Sequence, residues 1–275
     1  MAAAFDLQAH RGGRGLTPES TLAGFRNAIS LGVTTLETDL AVTKDDVLVL
    51  SHEPRLNPDL VRVPDGKWLA GVGPTIRSLT LAELKTYDIG RLNHATKYGQ
   101  QFPAQQPSDG ERFPTLVELY AMAGPGVRFN IETKIDPRTP ELAPPPAEFA
   151  RMVVDCIERH HVASRVVVQS FDFRTLVEVR KLAPSIRLSA LIAGGARRSF
   201  VDVAREAANS EIVSPHFSLV TPELVRAAHE AHVQIVPWTA NTAEQWRALA
   251  DAKVDAIISD DPAALIAWLQ SEHLR

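Results

Sequence analysis

The sequence has a single cysteine, Cys156, in 275 residues. That excludes an intramolecular disulfide and any metal cluster held by several thiolates. Cys156 lies in the apolar stretch Val153-Val154-Asp155-Cys156-Ile157, where a packed position on a helix face is expected. No hydrophobic run approaches the roughly 18 residues of a membrane span, so no integral membrane segment is expected. A basic excess is also missing. Twenty-nine Lys and Arg stand against 33 Asp and Glu, a formal charge of −4, which argues against a nucleic-acid partner. Residues 1–6 carry neither a basic region nor a long apolar one, so no signal peptide is read and a cytoplasmic location is expected. No glycine-rich GxGxxG follows a strand-like run, which weakens a dinucleotide-binding reading. The hydrophobic content is an ordinary 45%, enough for a sizeable core.

Apolar strand-like runs alternate with amphipathic helical patterns along most of the chain. Strands are expected over 5–9, 34–43, 47–51, 127–133, 165–170, 186–192, 211–214, 233–239 and 256–259. Helices are expected over 21–31, 115–123, 146–160, 174–182, 200–208, 222–231, 243–250 and 262–269. Thr221-Pro222 and Asp261-Pro262 each read as an N-cap followed by proline at the first helical position. If 47–51 is a hairpin return of the second strand, eight strand–helix units remain. That count and length suit an α/β fold of the (β/α)₈ TIM-barrel type, a single domain over 1–275. Residues 53–114 break the rhythm with seven prolines and one short helix at 78–84, capped by Thr80 with Glu83 three residues on. So long a segment without strand–helix rhythm is expected to be functional. The expectation is an insertion after the second strand that crosses the barrel mouth, walls the substrate pocket, and returns to the barrel bottom near residue 115.

The polar residues inside the apolar runs carry the chemistry. In Thr35-Leu36-Glu37-Thr38-Asp39-Leu40, strand alternation puts Leu36 and Leu40 on one side and Glu37 and Asp39 together on the other. Two adjacent carboxylates in hydrophobic surroundings require a cation, either basic side chains or a metal. Asn130-Ile131-Glu132-Thr133-Lys134 repeats the pattern. Gln8 and His10, Gln169 and Trp238 also fall near strand ends, and a barrel of this kind gathers its functional residues at the C-terminal ends of its strands. Arg11 and Lys134 are suited to donate to the oxygens of an anion. Together these residues point to a metal-assisted reaction on an anionic substrate.

In order along the chain stand His10-Arg11-Gly12, Pro18-Glu19-Ser20-Thr21, Leu36-Glu37-Thr38-Asp39 and Val49-Leu50-Ser51-His52-Glu53. Asn130-Ile131-Glu132-Thr133-Lys134, Gln169-Ser170-Phe171, Pro237-Trp238-Thr239 and Ile258-Ser259-Asp260-Asp261-Pro262 follow. This series resembles the glycerophosphodiester phosphodiesterase family over nearly the whole chain apart from 53–114. The resemblance implies His10 and His52 as the acid/base pair. It also implies Glu37, Asp39 and Glu132 as ligands of one divalent ion, Mg²⁺ or Ca²⁺. Arg11, Lys134, Gln169 and Trp238 are then expected to bind substrate. The implied substrate is a small glycerophosphodiester, cleaved to glycerol 3-phosphate and an alcohol. The family's usual Pro-Glu-Asn reads Pro18-Glu19-Ser20 here, and its usual His-Asp reads His52-Glu53; neither change touches a residue expected for catalysis or metal. Glu19 is open between a helix first-turn acid and an inward role, and His216, after the sixth parallel strand, merits attention. Asp260 and Asp261 are expected to be loop and cap residues. Two other readings stand beside the main one: a phospholipase D- or C-like lipid phosphodiesterase, and a silent barrel that only binds phosphorylated ligands. Oligomeric state is not readable from the sequence.

Overall fold

In the computed structural model, which describes residues 5–195 and 198–274, eight strands run parallel and one more folds back on the second. The strands are β1 (Asp6–Ala9), β2 (Thr35–Val42), β3 (Leu48–Leu50), β4 (Arg128–Thr133), β5 (Val166–Ser170), β6 (Arg187–Ile192), β7 (Ile212–Pro215), β8 (Gln234–Ile235) and β9 (Ala256–Ser259). Their spatial order is β8-β7-β6-β5-β4-β2-β1-β9, with β3 antiparallel to β2. The two ends of that order also touch. The Asp255 amide donates to the Ile235 carbonyl and the Ile258 amide to that of Pro237. The result is a nearly closed (β/α)₈ barrel, as the alternation predicts.

Helices cover the outside: α1 (Leu22–Ser30), α3 (Leu116–Met122), α4 (Pro146–Arg159), α5 (Phe173–Leu182), α6 (Phe200–Glu206), α7 (Pro222–Glu230), α8 (Ala243–Asp251) and α9 (Pro262–Ser271), while the short α2 (Leu81–Leu84) lies in the 53–114 segment. Their starts follow local chemistry. Thr21, Thr115, Thr221, Thr242 and Asp261 each accept a hydrogen bond from the amide three residues on, satisfying a donor the helix leaves free. Between helices and sheet lies the main core. Leu7, Leu36, Leu40, Ile131, Val168 and Ile257 face it from the strands, and Cys156 joins it from α4. The alternate residues on those strands face inward. They mix one apolar cluster, Ile212, Val236, Ala256 and Ile258, with polar side chains from β1, β2, β4 and β5 such as Gln8, Glu37, Asn130 and Gln169.

Two expectations need correction. The strand expected over 233–239 is regular only at Gln234–Ile235. Pro237 has no amide to add to a ladder, although Val236 and Trp238 still donate to Val213 and Pro215. The segment 53–114 also does not return to the barrel bottom. Thr115 pairs with Val49 and the Leu50 amide donates to Pro114, 2.8 Å, so the chain re-enters beside the strand it left. A parallel barrel demands this, because each helix must run from the C-terminal end back to the bottom before the next strand begins. Within the segment, Leu56, Val61, Ile76, Leu84, Ile89 and Phe113 form a second small core with Ala41 and Val49.

Candidate active site

Three carboxylates meet at the C-terminal end of the barrel. Glu37 and Asp39 project from β2 and Glu132 from β4, with Asp39 level with Glu132 in the parallel register. One oxygen of each lies within 4.8 Å of the other two, and all three residues are buried. Beneath them a polar layer fixes their direction. The Gln169 side-chain amide donates to Glu37 Oε1, 2.8 Å, and Asn130 Nδ2 donates to Gln8 Oε1 at 2.8 Å and Gln169 Oε1 at 3.0 Å.

Basic groups close the cluster from above. Arg11 takes a left-handed backbone conformation, φ 52°, which aims its amide at Glu37 Oε2, 3.0 Å. Its guanidinium donates to Glu19 Oε1, 2.9 Å, and stands 3.5 Å from Asp39 Oδ2. Lys134 Nζ is 3.0 Å from Glu132 and 3.8 Å from Asp39.

The two expected histidines arrive by different routes. His10 follows β1 directly; its Nδ1 lies 2.5 Å from Asp260 Oδ1 and its Nε2 4.0 Å from Glu37. His52 depends on the hairpin. β2 runs past Asp39 and turns back as β3, so that the Ser51 amide donates to the Asp39 carbonyl, 3.0 Å, and His52 follows at that level. His52 Nδ1 contacts Glu53 Oε1, 2.7 Å. His10, Arg11, Glu37, Asp39, His52, Glu132, Lys134, Gln169 and Trp238, the nine residues expected for catalysis, metal or substrate, line a cavity of about 140 Å³. Trp238 forms a wall, donating to the Ser214 carbonyl and packing edge-on against Phe171. His216 stacks behind Trp238 and bonds to Ser218, away from the acids.

The electrostatics are those of a site short of positive charge. Burial, reinforced by Asp39, holds the Glu37 carboxyl well above the usual carboxylate range. Burial likewise pushes Glu132 up to about 8 despite the opposing Lys134. Asp39 is held below its ordinary value: burial opposes this, but His52, Lys134 and Arg11 prevail. Two buried polar atoms here, Asp39 Oδ2 and Arg11 Nε, have no hydrogen-bond partner. Three hard oxygen donors with an unsatisfied buried oxygen fit a divalent ion. His10 is pushed down to about 4 by burial, which outweighs the Asp260 carboxylate.

Sequence reasoning missed one residue and left another open. Asp260, expected in a loop, is buried and also accepts from Arg14 Nε, 2.7 Å, and Asn241 Nδ2, 2.8 Å. Its only local signal was its place directly after a strand. Asp261 caps α9 as expected. Glu19 takes the inward role and is buried; its partners come from β1's loop and from residue 98, contacts that spacing alone does not reveal.

Comparison with known proteins gives the family and the fold. Residues 10–264 match the glycerophosphoryl diester phosphodiesterase family. A glycerophosphodiester phosphodiesterase of Caldanaerobacter subterraneus is 31% identical, covering 94% of this chain and 95% of its own. A crystal structure from Silicibacter pomeroyi, assigned to the glycerophosphoryl diester phosphodiesterases, superposes with a TM-score of 0.93 at 31% identity, covering 99% and 95% of the two chains. An Oleispira antarctica phosphodiesterase solved with its product sn-glycerol-3-phosphate shares the fold, TM-score 0.77 at 24% identity over 97% of each chain. The human lysophospholipase D GDPD1 is 33% identical over 46% of this chain and 35% of its own. The chain belongs to the glycerophosphoryl diester phosphodiesterase family and is a phosphodiesterase that hydrolyses glycerophosphodiesters.

Proposed function

We propose that this hydrolysis depends on a divalent cation and on His10 and His52 as the proton-transfer pair, giving glycerol 3-phosphate and an alcohol. The observation that carries the reading is the buried trio Glu37, Asp39 and Glu132 with both histidines on the same small cavity. Glu37, Asp39 and Glu132 would hold the ion, Mg²⁺ or Ca²⁺. When bound, it supplies polarisation of the phosphoryl oxygen and offsets the charge that develops there.

This chain's own residues do the rest. Arg11 and Lys134 give charge-assisted donors to the phosphoryl oxygens, while Trp238 walls the substrate and Gln169 keeps Glu37 aimed. Ionised Asp260 can only accept a hydrogen bond, so the proton of its short contact sits on His10 Nδ1 and Nε2 carries the free lone pair. A neutral, buried His10 is therefore the base that takes the proton from the attacking hydroxyl or water. His52, oriented through Nδ1 by Glu53, delivers a proton from its other nitrogen to the departing alkoxide. Residues 53–114 would form the pocket wall of this single domain over the mouth. A second substrate class, lysophospholipids, is favoured by one feature. An apolar groove lined by Ile135, Leu142, Phe171 and Phe173 opens from the His52, Glu132 and Lys134 side of the cavity.

Release of glycerol 3-phosphate from a panel of glycerophosphodiesters, and of lysophosphatidic acid from lysophospholipids, is the test. Activity lost to a chelator and restored by Mg²⁺ or Ca²⁺ is expected. H10A and H52A should each lower kcat by about 10²-fold or more. Near-normal turnover by folded H10A and H52A would assign the histidines a structural role, and full activity in chelator would remove the metal.

A further inference from the structure

Of the two arginines of the first loop, Arg14 is held directly by the long excursion and Arg11 is reached through Glu19. Arg14 donates from Nε to Asp260, 2.7 Å, and from Nη1 to the Tyr98 hydroxyl, 3.1 Å. The Tyr98 hydroxyl in turn donates to Glu19 Oε2. Glu19 accepts from Arg11 through its other oxygen. Followed in order, His10, Asp260, Arg14, Tyr98, Glu19, Arg11 and Asp39 form one continuous polar belt. It runs from the base histidine to the metal-type carboxylates. Tyr98 is its one uncharged phenol, and the one member contributed by residues 53–114.

Further contacts show that this part of the excursion is fitted to the loop. The Arg14 guanidinium lies 5.1 Å from the Phe102 ring centroid, and the Arg14 carbonyl accepts from Gln105 Nε2, 2.7 Å. The Gln106 amide donates to the Leu16 carbonyl, 2.8 Å. Next to Tyr98, Gly99 permits a close turn that no other residue could make. A Cβ there would lie 2.0 Å from the Asn93 carbonyl oxygen. Burial, with Glu19 alongside, raises the Tyr98 phenol far above neutrality, so it remains a donor across the working range.

We propose that Tyr98 is a positioning residue for the hydrolysis: by donating to Glu19 and accepting from Arg14, it sets the placement of Arg11 at the phosphoryl site and of Asp260 behind His10. The physical reason lies in the alternative. Without the hydroxyl, Arg14 and Glu19 are left facing each other across the vacated space, each short of one hydrogen bond in a largely buried setting. They relieve that loss by closing on one another. Arg14 then withdraws from Asp260 and Glu19 from Arg11. Both catalytic directions loosen together, although no group that touches substrate has been changed. Displacement on the ångström scale is enough to cost up to about 10²-fold in rate.

This inference rests on the proposed reading of the site, so the experiment is arranged to separate the two. Y98F retains the ring and its edge contact with Phe102. It should reduce kcat/KM by about 10- to 100-fold, largely in kcat, with a melting temperature close to that of the parent protein. Inhibition by added glycerol 3-phosphate should weaken in parallel, because Arg11 is less well placed. The double variant Y98F/E19Q should lose scarcely more than E19Q alone, since both changes interrupt one belt. Y98F within about twofold of the parent in kcat/KM, or losses that multiply in the double variant, would overturn the proposal. H10A measured alongside separates the two ideas: an active H10A breaks the reading of the site, whereas an inactive H10A with an unimpaired Y98F breaks the Tyr98 inference alone.

Discussion

At the scale of single residues, the site crowds three buried acids into one cluster. Burial pushes Glu132 up to about 8 in the folded chain and raises Glu37 in the same direction, so protons held there are released on unfolding. Between pH 6.5 and 8 the folded state therefore binds more protons than the unfolded state, and stability falls as pH rises. His10 acts with the opposite sign. Its folded value of about 4 lies below its ordinary one, so its share is lost only as pH falls below 6.5 and does not interfere in that window. In chelator, the melting temperature is expected to drop by a few degrees from pH 6.5 to pH 8. Saturating Mg²⁺ or Ca²⁺ should remove most of that slope by displacing the protons. Scanning calorimetry at the two pH values, with and without the ion, checks it; a slope indifferent to the cation would disconnect these acids from metal. The sequence exposed the acids because alternation places them on one face. It did not expose Asp260, whose partner His10 lies 250 positions away.

At the scale of elements, most strands and helices were legible because their patterns are local. Threonine and aspartate caps, proline at first helical positions and runs buried on both faces each leave a mark within a few residues. The excursion was legible only by its lack of such marks. Its shape depends on contacts that no periodicity encodes, such as the Leu56 amide on the Pro74 carbonyl and Arg62 on Asp88. Its small core still gives it definite energetics. Ile76 is fully buried there, and I76A should cost about 2–5 kcal/mol, the usual range for such a truncation. Because that core includes Ala41 and Val49, the loss should lower the whole denaturation midpoint in urea. An early separate transition, with the barrel midpoint unchanged, would show the excursion to be energetically independent.

At the scale of the whole molecule, the barrel was predictable from eight repeats, whereas the route of residues 53–114 was not. The expected descent to the barrel bottom failed because it overlooked the direction in which a crossover helix must run. What the excursion contributes to selectivity can be measured. Replacing residues 57–73 with a short linker, which spares His52 and the 98–106 contacts, should alter KM and the ranking of diesters more than kcat on the best substrate. An unaltered ranking would reduce that part to a tolerated insertion.

The pairing of β1 with β9 has a consequence in time. β1 has its neighbours in β2, close in sequence, and in β9, far along the chain. His10 is synthesised 250 positions before Asp260, whose carboxylate contacts its ring. On a ribosome the motif that holds His10 must wait, without these partners, until β9 and the residue after it have emerged. Interrupted or clipped products that lack β9 therefore carry both histidines and all three acids of the cluster without the strand that flanks β1.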